Sequence, residues 1–253
     1  TVVTAYLLED QIKTARLAAI GQAVTGLSHY TKNIVTALTS SADLIDMGMA
    51  RDDTSVLKRS WPVFKRSTKR IANFVQDMLS FSKPREPVRE ACSIRDIVNE
   101  AYLTFAEVFS RKDVDVSLDL DRTPEVVMLD SQAIYRCVLN LLTNAADAVP
   151  ETDGRVHVKA EASAGGLLFL TVTDNGPGVP EAIKERIFDP FFSTKGSRGT
   201  GLGLAVTRKI VMEHGGALNV RDAEGGGAVF EITLPGSAGE GSADEEEVHP
   251  LLA

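Results

Sequence analysis

Cysteine is almost absent: Cys92 and Cys137 are the only two in 253 residues. They build no disulfide framework and no zinc spacing, and they fit a reducing compartment. Long apolar runs are missing as well. Leu167–Val172 is among the longest, far short of the about 18 residues a membrane-spanning helix needs. Nor is there an excess of positive charge, since 27 Lys+Arg face 35 Asp+Glu for a net charge of −8. Five of those acids, Glu240 and Asp244–Glu247, follow Pro235 with no Lys or Arg among them, so the rest is only mildly acidic. A protein that coats nucleic acid is thereby excluded. There is no signal peptide, and the chain opens on Thr1 rather than Met. A cytoplasmic piece of a longer protein is expected, with no membrane contact of its own and any anchor upstream.

What is present is ordinary for a folded chain: 43% hydrophobic and 25% charged residues, enough for one large domain or two modest ones. The first half reads as helix. Leu17, Ile20, Val24, Leu27, Thr31, Ile34, Leu38, Ser41 and Ile45 recur in alternating steps of three and four, a heptad seam. Residues 47–53 break it, and Asp53 or Thr54 can cap a second helix. A second seam runs Leu57, Trp61, Phe64, Thr68, Ile71, Val75, Met78 and Ser82. Pro62 should kink this helix or lie close to its start. Two helices with one apolar stripe each close a core by pairing with a second copy into a four-helix bundle.

Lys83-Pro84-Arg85-Glu86-Pro87 stops the helix and reads as a linker. Ser93 then caps a helix to Arg111, and Asp130 caps one to Val149. Residues 114–120, 126–129, 156–162, 167–174, 218–221 and 228–234 read as strands, the third and fourth forming a hairpin. Residues 175–199 are a long irregular connection before a helix over 200–214. Helices and strands alternate without a regular βαβ rhythm, which predicts an α+β fold with an α/β sandwich on a mixed sheet. Residues 237–253 form an acidic tail expected to be disordered.

Four segments carry chemistry. In Asn140-Leu-Leu-Thr-Asn144-Ala-Ala-Asp147 the three polar residues share one helical face. Amides are poor helix formers, and an amide oxygen can ligate a hard cation such as Mg²⁺; a solvated face is the bland alternative. Asp174-Asn-Gly176-Pro-Gly178 comes directly after a strand, where a carboxylate can accept from an exocyclic amine; an ordinary Asx-Gly turn is the alternative. Phe188-Asp-Pro-Phe191-Phe192-Ser-Thr-Lys195 suggests a flap with an apolar latch, or a loop pinned by aromatics. Gly199-Thr200-Gly201-Leu202-Gly203 opens a helix with consecutive N–H groups suited to phosphates. It is neither a Walker A loop nor a Rossmann turn.

In order and spacing the four segments resemble the N, G1, F and G2 boxes of the GHKL nucleotide-binding superfamily, specifically the sensor histidine kinases. The resemblance covers about residues 93–235. It implies a Bergerat fold that binds ATP or ADP between a sheet and a flexible lid at about 179–198. Asn144 would then hold Mg²⁺ and Asn140 would support the phosphates, with Asp147 on the same face. Asp174 would recognise the adenine amine, with Gly176 and Gly178 shaping its pocket. Lys195 and the loop Gly199, Thr200, Gly201, Leu202 and Gly203 would hold the phosphates. Residues 1–83 would be a dimerising helical hairpin, 84–92 a linker and 93–236 the catalytic domain.

Leu27-Ser28-His29-Tyr30-Thr31-Lys32-Asn33 resembles the H-box of the same kinases in a variant form. His29 lies two residues from Leu27 and from Thr31, so it points away from the seam, where an imidazole is a reachable nucleophile. The resemblance implies a homodimer that moves the γ-phosphoryl of Mg·ATP to His29 and on to an aspartate of a response-regulator receiver domain. Asn33, one turn on, would position water for dephosphorylating that regulator. Two rivals remain: a GHKL clamp ATPase and a nucleotide-sensing scaffold without transfer. The clamp relatives carry a glutamate at the position of Asn140, and an amide cannot activate water as a general base. Tyr30 departs from the family, which places an acid after the histidine. A phenol keeps its proton at neutral pH, so slow labelling, accelerated by Tyr30→Glu, is the expectation from sequence. Lys58, Arg59, Lys65, Arg66, Lys69 and Arg70 make the second helix basic, either a dock for an acidic partner or a solvated face.

Overall fold

A computed structural model of the chain describes residue 28 and residues 30–82, 86–196 and 199–235. The upstream seam positions Leu17, Ile20, Val24 and Leu27, together with His29 and the acidic tail, lie outside the described residues. The chain forms two compact units. One joins the helical first part to Val179–Lys209; the other joins Glu86–Gly178 to the chain from Ile210 onward.

In the first unit, helix α1 covers residues 30–50 and α2 covers Thr54–Ser82. Asp52 turns the chain with a left-handed φ of 53°. Asp53 caps α2, its carboxylate accepting from the N–H groups of Ser55 at 2.9 Å and Val56 at 3.2 Å. The Ser55 side chain and the Val56 N–H hold that carboxyl below its usual range. Pro62 lies well inside α2, and the helix continues through it rather than starting there. Its ring removes one N–H donor but does not end the helix. Ser60, Ser67 and Phe74 are the buried positions of α2, whereas Trp61 and Val75 of the expected seam are exposed within this chain.

The second unit is a five-stranded mixed sheet with helices. Its strands are β2 (Asp115–Arg122), β4 (Arg155–Ala162), β5 (Leu167–Asp174), β6 (Ala217–Asp222) and β7 (Ala228–Pro235). Their order is β2-β4-β5-β7-β6. The β2–β4 pair is parallel and the other three are antiparallel. A small antiparallel pair joins β1 (Glu90–Cys92) to β3 (Val127–Leu129). Strand β1 lies within the stretch that reads as linker.

Helices α3 (Ile94–Arg111) and α4 (Ser131–Ala148) begin at Ser93 and Asp130, whose side chains accept from Asp96 and Ala133 N–H. Ile134, Val138, Leu141, Leu142 and Ala145 of α4 are buried, and so are the alternate β4 and β5 residues Val156, Val158, Leu168, Leu170 and Val172. Each fully buried Leu or Ile contributes about 1.5–3 kcal/mol of transfer free energy. Those alternations, different in period, make α4 and β5 the walls of one core. Helix α5 covers Gly203–Glu213, starting later than 200 because the glycine-rich residues before it remain a loop. No helix among the described residues is long and apolar enough to cross a membrane.

His214, 2% exposed, is a structural residue. Its Nδ1 contacts the Ile210 carbonyl at 2.8 Å and its Nε2 receives the Asp130 N–H at 3.2 Å. An accepting Nε2 requires the proton on Nδ1. The Asp130 carboxylate also accepts from Val88 N–H at 3.1 Å, tying the start of this unit to the α4 cap.

Candidate functional site

The second unit supplies a carboxylate and two amides. Asn140 and Asn144, four residues apart on α4, are half-buried and each makes polar contacts. Asp147 is exposed and lies 3.8 Å from Lys112, whose ammonium also donates to the Ala146 carbonyl. Thus Asp147 ends the polar face with its charge already partnered, while the amides form its inner part.

Asp174 ends β5 and is 3% exposed. Its side chain accepts from Gly176 N–H at 2.9 Å and from the Ala228 backbone. Burial pushes its carboxyl above the ordinary range, and those two backbone bonds only partly offset it. An ionised carboxylate has about four acceptor positions, so two backbone donors leave capacity for a ligand amine.

The glycines of this loop have a packing reason. A Cβ at Gly176 would stand 2.6 Å from the Ala148 carbonyl oxygen, against the end of α4. Gly178 has φ +74° and faces the Gly227 carbonyl; Gly227 has φ +107°, and a Cβ there would overlap the Asp174 carbonyl oxygen. The loop after β5 and the turn before β7 therefore interlock backbone to backbone, which holds Asp174 in place. Asn175 adds a pin that an Asx-Gly turn alone does not announce. It accepts from Arg155 N–H and donates to the Asp153 carbonyl, both at 2.7 Å.

The first unit holds the other expected residues. Lys195 is half-buried, and its N–H donates to Ser193 Oγ at 3.1 Å. In the glycine loop, Gly199 N–H donates to Gly196 and Leu202 N–H donates to Thr200 Oγ1 at 3.1 Å. Gly201 has φ +65° and Leu202 is fully buried. Gly203 opens α5, so the loop stands at the positive end of an 11-residue helix. The aromatic latch is pinned by cations: Arg186 lies 4.6 Å from the Phe192 ring centroid and Arg208 lies 5.5 Å from that of Phe188. Asn33 is half-buried on α1 and has polar contacts. Tyr30, which the sequence presents only as a poor base, is buried at 7% exposure.

The second unit thus carries a buried acceptor and a pair of amides, and the first carries a glycine-rich helix start. Residues 129–238 match the family described as histidine kinase-, DNA gyrase B-, and HSP90-like ATPase, which supports nucleotide binding here. The sensor histidine kinase ZraS of Salmonella typhi is 30% identical over 230 residues, covering 90% of this chain and 48% of that protein. The chain spans about half the length of that curated relative. The solved mycobacterial sensor histidine kinase MprB is 34% identical and covers 59% of this chain and 98% of that one, with a TM-score of 0.52. The histidine kinase ThkA, solved in complex with the response regulator protein TrrA, is 28% identical over 87% of this chain and 63% of that one, with a TM-score of 0.68. Through its helices and its GHKL-fold sheet domain, the chain belongs to the sensor histidine kinases.

Proposed function

We propose that this chain is the kinase core of a two-component system, moving the γ-phosphoryl of Mg·ATP to His29 and onward to an aspartate of a response-regulator receiver domain. Asp174 accepts from the adenine amine. Asn144 offers its amide oxygen to Mg²⁺, which would screen phosphate charge when bound, while Asn140 supports the phosphates. Lys195 and the Gly199–Gly203 loop hold the transferred group's oxygens, where charge spreads in the transition state. His29 attacks the γ-phosphorus through one ring nitrogen, the bond to the ADP oxygen breaks, and the imidazole proton leaves to solvent or a base. Asn33 orients water for the reverse task on the regulator.

The observation that carries this reading is the residue at 140. An amide on the polar face of α4 cannot take a proton from water, which argues for transfer rather than the hydrolysis of a clamp ATPase. A regulator partner is supported by the related ThkA, whose structure contains one. A homodimer is supported by the apolar side chains that the described helices leave exposed, among them Val35, Leu44, Trp61, Val75 and Leu79. Residues 1–83 are assigned as the dimerising hairpin, 84–92 as the linker with its end paired as β1, 93–236 as the catalytic domain and 237–253 as a tail.

Incubation with γ-labelled ATP should leave an acid-labile, base-stable phosphate on the chain. Asn144→Ala should remove both the label and Mg²⁺-dependent ATP affinity, with the circular-dichroism spectrum unchanged. An unlabelled wild-type chain that releases phosphate from ATP would replace this reading with hydrolysis.

A further inference from the structure

The helix pair and Val179–Lys209 fold as one unit, and their junction is apolar. Tyr30 and Ile34 of α1, Phe74 of α2 and Leu202 form one buried cluster, with Leu38, Ile71 and Phe191 packed against it. The Tyr30 and Phe74 rings lie 5.3 Å apart and are tilted by 50°, within the range favoured by aromatic pairs. Arg70 stands 5.6 Å from the Tyr30 ring centroid. A second tie runs from the Lys209 ammonium to the Ser80 carbonyl at 2.7 Å.

Leu202 and Phe191 reach this cluster as one piece. Phe191 N–H donates to the Gly201 carbonyl at 2.9 Å. The Phe191 backbone also fills the space where a Gly201 Cβ would stand. Phe191 itself has φ +67°, a left-handed conformation that a bulky residue keeps only where its surroundings impose it. The latch and the glycine loop are thus knotted together, and the apolar side of the knot rests on the helices.

We propose that Tyr30 is a positioning residue whose ring docks the Gly199–Gly203 loop, through Leu202 and Phe191, on α1, at the position next in sequence to His29. This rests on the reading of His29 as acceptor and of the loop as phosphate-binding. A loop anchored on residue 30 keeps what it holds near residue 29, and such proximity lowers the cost of bringing donor to acceptor. The docking also explains an aromatic where the family resemblance calls for an acid. A ring is at home in an apolar cluster, whereas a carboxylate would lose hydration there. Tyr30→Glu should therefore slow labelling, which revises the expectation drawn from the sequence alone.

Hydrogen exchange on the full chain tests the docking without relying on activity. In Tyr30→Ala, amides of residues 202–206 should exchange about tenfold faster or more while those of α4 stay unchanged. Labelling at saturating ATP should fall by about tenfold or more, with ATP affinity within about twofold of wild type. Tyr30→Phe should restore both. Phe191→Ala, made from the other side, should speed the same amides, and the double variant should add little. Unchanged exchange in Tyr30→Ala, additive effects of the pair, or a Tyr30→Phe as impaired as the alanine would overturn the docking. A parallel loss of ATP affinity would overturn the positioning role. Faster exchange in Tyr30→Ala together with a wild-type chain that never labels His29 would instead overturn the kinase reading and leave the docking standing.

Discussion

Asp174→Asn should weaken ATP binding about 10²-fold or more while leaving the second unit folded. Asp174 is 3% exposed, and burial raises its carboxyl above the usual range. A carboxyl raised on folding lends stability at low pH that is lost as pH rises through its folded value, so at neutral pH the ionised form opposes folding. The asparagine removes that charge, but its single oxygen must then serve both backbone donors, Gly176 and Ala228. Its amide nitrogen would meet the adenine amine donor to donor. A hydrogen bond to a charged acceptor is worth about 1.5–3 kcal/mol and an unmatched buried donor adds to the loss, so affinity should fall about 10²-fold or more. Calorimetric titration and thermal melts on the same preparation check both halves. For the wild type, acidification toward the raised carboxyl range should weaken ATP binding as the acceptor is protonated, with proton release on binding there. A variant that keeps its ATP affinity would remove Asp174 from the site.

Gly227→Ala should be the most damaging single methyl group in that unit. At φ +107° an L side chain is strained, and the new Cβ would overlap the Asp174 carbonyl oxygen. Neither neighbour can give way cheaply, because Asp174 and Ala228 are partners in the β5–β7 ladder. Strain of this kind costs about 1–3 kcal/mol before the clash is counted. The total should reach about 3 kcal/mol or more, which lowers the melting temperature by about 10 °C for a unit of this size. Gly225→Ala is the control: its φ is also positive, at +85°, but nothing stands within 4 Å of the added Cβ. Equal losses at both positions would mean that backbone strain alone, rather than the interlock with Asp174, sets the cost.

Much of this architecture is legible in the sequence because local signals agree with the tertiary outcome. Ser93 and Asp130 announce α3 and α4 through their side-chain oxygens, and both accept the N–H bonds expected of them. The period-two alternation of β4 and β5 marks a sheet with one face in a core. Strand β1 reads as linker because three residues carry no periodicity; only the distant β3 gives it a partner. In α2 the seam through Trp61 and Val75 and the buried line through Ser60, Ser67 and Phe74 are different faces of one helix. The heptad pattern finds the apolar face, but it does not reveal that serines can be buried by bonding back to their own helix, as Ser60 does to the Val56 carbonyl at 2.7 Å. At the site, residue types and order point to Asp174 and the amides. The use of Gly176, Gly178 and Gly227 as backbone contacts, and of Tyr30 as packing, depends on chain segments far apart in sequence.

The central claim, that this chain phosphorylates its own His29, is tested most directly by His29→Ala incubated with γ-labelled ATP beside the wild type, with ATP affinity measured on both. The wild type should acquire acid-labile, base-stable label, and the variant should acquire none while binding ATP with unchanged affinity. Label that persists at full stoichiometry in His29→Ala would contradict the account and move the acceptor to another residue.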